Sequence, residues 1–388
     1  MADSTIYVLD RNYLAITFLI SLLIQSLAFL ISYTLQFDKI TDFSGGSNFF
    51  ILALLTLLFG QNFEARNVIV SLAVLLWSIR LAGFLLLRVL KRGKDDRFDE
   101  MRSNFFRFGA FWVFQLFWVW VVSLPVTVLN SPNISSASEE LSQVDFKLGS
   151  DWVGLIFWVL GFLIESLADL QKYRFKSDPN SKKDRLPVCR IGVWKISRHP
   201  NYFGEILLWW GIWLMAIGSA RNPGIPESTR SLLYGTVISP IFITILLLFL
   251  SGLPTAEKPV QESIFIKSYK AKRSNSQDQQ NGQGQPSNQS VNPQFGENAK
   301  NDDGGERVYS GVQKASDLGE GKAEGQVWKD YKDYLDQTSI LLPIPQSIYR
   351  KIPTSIKSTV LLDWPIYRFD ENSERAQHLI NQINDEIN

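Results

Sequence analysis

Three stretches of this sequence contain no charged residue and approach or exceed the length that a helix needs to cross a lipid bilayer. They cover residues 13–35, 108–129 and 232–250. A membrane-spanning helix needs roughly 20 apolar residues. A water-soluble protein can bury one such helix in its core but not several, so these runs predict an integral membrane protein.

Four further stretches raise the expected number of spans to about seven. Three are equally apolar but carry one or two ionisable residues each, and the fourth, 49–63, is short. The prediction is an all-α, polytopic transmembrane bundle within residues 1–270. Its spans lie near 13–35, 49–63, 67–90, 108–129, 152–170, 202–220 and 232–250.

The distribution of Lys and Arg predicts the orientation of this bundle. Loop 91–107 has six basic residues and loop 171–200 has nine, whereas 130–150 has only Lys147. Because basic loops stay in the cytosol, the C-terminus is expected there and the N-terminus on the other side. Asn133 begins a glycosylation sequon on the predicted non-cytosolic side.

The part of the chain after the last span has a different composition. Residues 274–305 are almost entirely polar and cannot bury enough apolar surface to fold, which predicts a disordered insertion over 271–326. Helical spacing of aromatic residues resumes at Trp328, so 327–388 is expected to form an ordered cytosolic tail. The Asn/Gln-rich insertion suggests a eukaryotic protein, hence the endoplasmic reticulum.

The stretch "ISRHPNYFGEILLWWGIW", residues 196–213, combines polar residues with the start of an apolar span. Pro200 suits the first turn of a helix, which places Asn201 and Glu205 on one face. The preceding span carries Glu165 and Asp169 near its cytosolic end. The expected rim of cations around these carboxylates consists of Lys172, Arg174, Lys176, Arg198 and His199.

Arg80 is the third ionisable feature inside the spans. It lies about 12 Å deeper than Arg88 and must therefore pair with a carboxylate or line a cavity. A structural ion pair with one of the carboxylates and a catalytic role are both consistent with the sequence. A cationic rim over carboxylates suits a nucleotide cofactor, since Arg binds phosphates and carboxylates accept from ribose hydroxyls. No Gly-rich fingerprint of a Rossmann domain is present, so the bundle itself must hold any cofactor.

Several motifs of the sequence resemble, in order, those of the steroid 5-alpha-reductase-like integral membrane proteins. They are "GFLIESLADLQKYRFK", "VWKISRHPNYFGEILLWWGIW", "LLFLSGLPTAEKP" and "YKDYLDQTSILLPIP". Sterol reductases and isoprenylcysteine carboxyl methyltransferases are related in fold. The resemblance covers about 35–270 and 327–345. It implies seven spans, a cytosolic NADPH pocket and a substrate cavity that faces the lipid.

The resemblance also implies roles for individual residues. Cofactor-binding positions fall on Glu165, Asp169, Asn201, Tyr202, Gly204 and Glu205, and a tail with Tyr331 and Tyr334 closes over the nucleotide. Steroid reductases polarise their substrate with a Glu and a Tyr from early spans, but 49–90 has no Tyr and only Glu64. The catalytic acid is therefore unassigned, with Glu64 and Tyr202 as candidates.

The function predicted from these observations is NADPH-dependent reduction of an activated C=C bond in a steroid-like or other lipid substrate. The expected partners are the bilayer and a lipophilic small molecule, without nucleic acid or a metal. Two alternatives remain open. One is a membrane methyltransferase that uses S-adenosylmethionine, and the other is a non-catalytic lipid-binding membrane protein.

Overall fold

The computed structural model describes residues 6–36, 40–92, 104–140, 145–179, 181, 186, 188–281 and 326–387. Within these ranges the chain is helical without a β-sheet, and seven helices are long and apolar enough to cross a membrane. The predicted all-α membrane bundle is confirmed. Its first elements are α1 (Leu14–Thr34), α2 (Ile40–Gly60), α3 (Ala65–Arg92), α4 (Phe105–Val122), α5 (Leu124–Leu129), α6 (Pro132–Glu140), α7 (Gly149–Ser177) and α8 (Pro200–Ala216).

The later elements include the last span and the tail. A segment from Glu227 to Ala271 contains the last span, built from α9 (Glu227–Gly235), α10 (Ile238–Ile245), a π-helical turn (Leu246–Leu250) and the start of α11 (Leu253–Asn281). The tail contains α12 (Gln326–Gln337), α13 (Gln346–Tyr349), α14 (Thr354–Thr359) and α15 (Glu374–Ile387). Helix α11 thus extends into the predicted insertion, and 282–325 lies outside the described residues.

Two spans differ from their predicted bounds. Helix α2 begins at Ile40 rather than near residue 49, because polar residues of its first turns lie on a buried face of the helix. The run 108–129 is divided in two at Ser123, and Pro125 occupies the first turn of α5. Proline cannot continue the hydrogen bonding of a preceding helix, which explains the division.

The chain forms two compact units. The membrane unit contains Met1–Gln171, Ile191–Leu253 and Leu341–Pro343, and the second unit contains Lys172–Arg190, Pro254–Ile340 and Ile344–Asn388. The core of the second unit consists of Leu186, Ile264, Phe265, Trp328, Tyr331, Leu335 and Ala376. The indole of Trp328 donates to Glu371, whose carboxylate also accepts from Lys332 at 3.0 Å.

Helices α7 and α8 pack against each other through glycines spaced seven residues apart. A Cβ atom on Gly161 would lie 2.5 Å from the carbonyl oxygen of Gly204, and one on Gly154 would lie 2.7 Å from that of Gly211. Only the absence of a side chain allows the two backbones to come this close, as in other membrane helix pairs that associate through small residues.

A buried ion pair joins the first turns of α3 and α7. Arg66 donates to both carboxylate oxygens of Asp151, at 3.1 and 2.7 Å, and both side chains are almost fully buried. On α6, Asn133 donates its amide hydrogens to Asn12 at 3.1 Å and Thr229 at 2.8 Å. The nitrogen that would carry a glycan is therefore engaged in packing, and the predicted sequon does not present a free acceptor.

Candidate functional site

Arg80 on α3 lies at the centre of a charged cluster in the membrane unit. Its guanidinium donates to the carboxylates of Glu165 and Asp169 on α7 and, at 3.2 Å, to the backbone carbonyl of Glu165. The indole of Trp77, one turn before Arg80, donates to the second carboxylate oxygen of Glu165 at 3.2 Å. Because an isolated charge is costly inside a membrane, this pairing explains how α3 tolerates an arginine.

Glu205 on α8 adds a third carboxylate to this cluster. It is partly buried and interacts electrostatically with Glu165, Arg80 and Asp169, but no described side chain donates a hydrogen bond to it. The glycine packing explains its position, since a Cβ atom on Gly204 would lie 2.7 Å from the backbone nitrogen of Glu165. Two carboxylates therefore bond to the guanidinium, and the third, Glu205, lies near it with acceptor oxygens that no described side chain uses.

The loop before α8 is held against the end of α7 and the returning tail. The indole of Trp194 donates to the carbonyl of Ala168 at 2.9 Å. Ser197 donates to the carbonyl of Leu341 at 2.7 Å and accepts from the backbone nitrogen of His199 at 3.1 Å. These bonds fix Arg198 and His199 at the N-terminus of α8, where both are buried.

Apart from three tryptophan indoles, two side chains on α7 and α8 carry buried polar atoms that no described residue binds. They are the carbonyl oxygen of Asn201 and the hydroxyl of Ser166, which follows Glu165 directly. Tyr202 stacks on His199, with ring centroids 5.1 Å apart and planes 4° from parallel. A buried polar atom without a partner is rare in a folded protein and indicates a water or a ligand.

The structure brings together Glu165, Asp169 and Glu205, as predicted, and adds Arg80 and Trp77 to them. Gly204 has a different role from the predicted one, because it faces α7 and is needed for close helix packing. Glu64 precedes α3 and lies 16 residues before Arg80, or about 24 Å along the helix, so it does not belong to this cluster.

The remaining predicted residues lie in the second unit. Lys172 and Arg174 continue α7 beyond Asp169, with Arg174 exposed. Tyr331 is buried in the core of that unit, stacked on Trp328, and Tyr334 packs against Tyr331. Their role in closing over a nucleotide stays a prediction.

A buried polar seam between α1, α2 and α4 had no functional interpretation in the sequence. Gln115 donates to Gln25 at 3.2 Å, to the carbonyl of Thr41 at 3.0 Å and to the hydroxyl of Ser44 at 3.2 Å. Gln25 and Gln115 therefore serve to pack these helices together. About one turn further along these helices, next to the charged cluster, lie Ser21, Asn48 and Trp118.

These three side chains form a second layer of the seam, and the described part of the chain provides no hydrogen-bond partners for their polar atoms. Asn48 is fully buried, yet neither its nitrogen nor its oxygen has a partner, and the same holds for the hydroxyl of Ser21 and the indole nitrogen of Trp118. Phe49 joins this layer to the charged cluster, with its ring 5.1 Å from those of Trp77 and Trp118. The layer could bind the polar atom of a mainly apolar ligand.

A family model described as a protein of unknown function (DUF1295) matches residues 28–274. The chain belongs to the DUF1295 family. The matched range contains the charged cluster and most of the seam, so both lie within the part that defines DUF1295 proteins.

Comparison with other proteins adds one relative. The DUF1295 chain is 26% identical over 178 residues to an uncharacterized protein of Schizosaccharomyces pombe, an alignment that covers 40% of this chain and 50% of the relative. The chain thus spans about half the length of that curated relative. No solved structure matches this DUF1295 chain.

Proposed function

We propose that this protein is a membrane-embedded, NADPH-dependent reductase of an activated C=C bond in a lipid, as its resemblance to steroid 5-alpha-reductase-like proteins implies. The observation that carries the proposal is the excess of acceptor groups around Arg80. Glu165, Asp169 and Glu205 face one guanidinium, beside a helix N-terminus that bears Arg198 and His199.

The residues around the cluster fit a nicotinamide nucleotide. Free acceptors at Glu205 and at the carbonyl oxygen of Asn201 suit ribose hydroxyls, which are hydrogen-bond donors. Arg198 and the N-terminus of α8 together favour phosphate groups, because the helix dipole and the guanidinium are both positive there. The stacked pair His199 and Tyr202 offers an aromatic face for a planar ring.

The seam would hold the oxygen of the lipid substrate. Reduction requires that negative charge developing on a carbonyl oxygen be stabilised by positioned donors. The amide of Asn48 and the indole of Trp118 are buried neutral donors, and in this proposal they replace the Glu and Tyr pair of steroid reductases, since 49–90 has no Tyr and its Glu64 lies far from the cluster. When bound, NADPH would supply the hydride, and Tyr202 is the candidate proton donor.

Binding of NADPH and of S-adenosylmethionine to the purified protein in detergent tests the proposal. We expect NADPH to bind, and Arg198→Gln to weaken it by roughly tenfold to a hundredfold, since a hydrogen bond to a charged group contributes about 1.5–3 kcal/mol. S-adenosylmethionine carries no phosphate, so its binding would not depend on Arg198.

A second cation in the same loop provides the control. Lys195 is exposed, three residues before Arg198, and Lys195→Gln should leave NADPH affinity unchanged. An equal loss of NADPH affinity in both variants would indicate a general electrostatic effect. Binding of S-adenosylmethionine alone would overturn the reductase in favour of a methyltransferase.

A further inference from the structure

The segment 344–369 of the second unit has an inverted distribution of polar and apolar side chains. Ile348, Val360 and Ile366 are 55%, 65% and 53% exposed, whereas Lys357 and Asp363 are only 7% and 3% exposed. In a protein surrounded by water the opposite is usual, because charged residues are rarely buried and large aliphatic ones commonly are. The outer surface of this segment therefore suits an apolar medium.

A network of polar bonds fixes the inner side of the segment. Lys357 donates to the carbonyl of Asp336 at 2.7 Å, and its ammonium lies 4.5 Å from the ring centre of Tyr349. Tyr349 donates to Asp363 at 3.0 Å, and Arg368 bridges Asp363 and Asp336 at 3.1 and 2.9 Å.

The guanidinium of Arg368 is stabilised by its carboxylate partners. Burial by itself would lower the pKa of Arg368, but the carboxylates of Asp363 and Asp336 outweigh burial and raise it. The ion pairs of Arg368 and the bonds of Lys357 and Tyr349 together hold the backbone of the segment in one arrangement. The outward position of the isoleucines and the valine follows from this arrangement rather than from a loose chain end.

The charges that reach the outer surface are all positive. Between 338 and 369, a range that the structure describes throughout, Asp363 is the single acidic residue and it is buried. Arg350 and Lys351 are exposed, and Trp364 is partly exposed. Exposed aliphatic side chains together with basic residues and an aromatic ring are the combination that binds the interface of an anionic bilayer.

The chain itself keeps this segment at a membrane. Leu341–Pro343 belongs to the membrane unit, and the segment starts with the next residue. Ordinary chain connectivity therefore tethers it to the bilayer, whatever the arrangement of the two units.

We propose that the outer surface of 344–369 binds the bilayer, with Ile348, Ile356, Val360 and Ile366 at the acyl boundary and with Arg350 and Lys351 on anionic headgroups. This surface is separate from the charged cluster and the seam, and its role does not depend on the proposed reductase activity.

Site-specific fluorescence on the full chain tests this proposal. Cys189 is the only cysteine, so Cys189→Ser gives a background into which Val360→Cys is introduced and labelled with NBD. Asn372→Cys, exposed in the same unit but outside the segment, is the matched control. In phosphatidylcholine liposomes with 30% phosphatidylserine, doxyl-labelled lipid should quench the label at 360 several-fold more than at 372. Ile366→Cys should behave like Val360→Cys.

Removing the basic residues measures the electrostatic contribution to the binding of this segment to the bilayer. Arg350→Gln with Lys351→Gln should lower the ratio of bound to free segment by about fivefold per charge, with no such change in pure phosphatidylcholine. Equal quenching at 360 and 372 would overturn the proposal. So would a label at 360 that is shielded from water but not quenched by doxyl lipid, because a protein surface would then cover the segment.

Discussion

Replacement of Gly204 by alanine tests the packing that positions the charged cluster. The new Cβ atom would lie 2.6 Å from the carbonyl oxygen of Gly161 and 2.7 Å from the backbone nitrogen of Glu165, whereas ordinary contact begins at 3.4 Å. Helices α7 and α8 must then separate by about 0.8 Å. Overpacking of this kind typically costs about 1–3 kcal/mol, and we expect a loss of stability in that range.

Unfolding in mixed micelles with increasing SDS, followed by tryptophan fluorescence, measures this effect. Gly83→Ala is the control, because Gly83 lies on α3 three residues after Arg80 and nothing approaches its Cβ position within 4 Å. Alanine there should leave stability unchanged or raise it by about 0.5–1 kcal/mol. If Gly204→Ala proves as stable as Gly83→Ala, close glycine packing does not hold α7 against α8.

Other perturbations probe the remaining features in the same way. Arg80→Met leaves buried carboxylates without their partner and should cost about 3–5 kcal/mol, of which Glu165→Gln in the same chain should restore part, as measured by SDS unfolding. Asn48→Leu removes two unbonded polar atoms and should raise stability while it weakens binding of a lipid ketone such as cholestenone; a loss of stability would show that Asn48 has a structural partner. Hydrogen bonds from a tryptophan indole and a lysine lower the pKa of Glu371. Its stabilisation is thus present above about pH 4.3 and lost as pH falls through the folded pKa, a pH dependence that Glu371→Gln should abolish in thermal unfolding. Replacing 282–325 by a short Gly-Ser linker should leave the unfolding midpoint unchanged, since the entropy of closing a loop rises only slowly with its length.

The sequence predicted the number of spans because uninterrupted apolar runs have few alternatives to a bilayer. It misplaced the start of α2, where Thr41, Ser44 and Asn48 lower the average hydropathy. These side chains lie on one buried face of the helix, a fact that an average along the chain cannot express. The period of the polar residues, rather than their number, indicates that a helix continues there.

The charged cluster was partly predictable for a related reason. An arginine deep in a span must find a carboxylate, and Glu165 was within the expected range of depth. Arg66 and Asp151 gave no such signal, since charges at helix ends are typical of the membrane boundary. The seven-residue spacing of glycines on both α7 and α8 was visible in the sequence, but their pairing was not predicted from it. The return of Leu341 to Ser197 depends on long-range folding that no local pattern contains.

Two of the ion pairs between α3 and α7 also restrict how this protein can move. Arg66 and Arg80 are 14 residues apart, as are their partners Asp151 and Glu165. The two ion pairs are therefore about 21 Å apart along both helices, which run parallel with the same rise per residue. A shift of α3 along α7 by a single residue would strain both ion pairs at once. Sliding of α3 along α7 therefore cannot open the charged cluster, and the two helices stay in register.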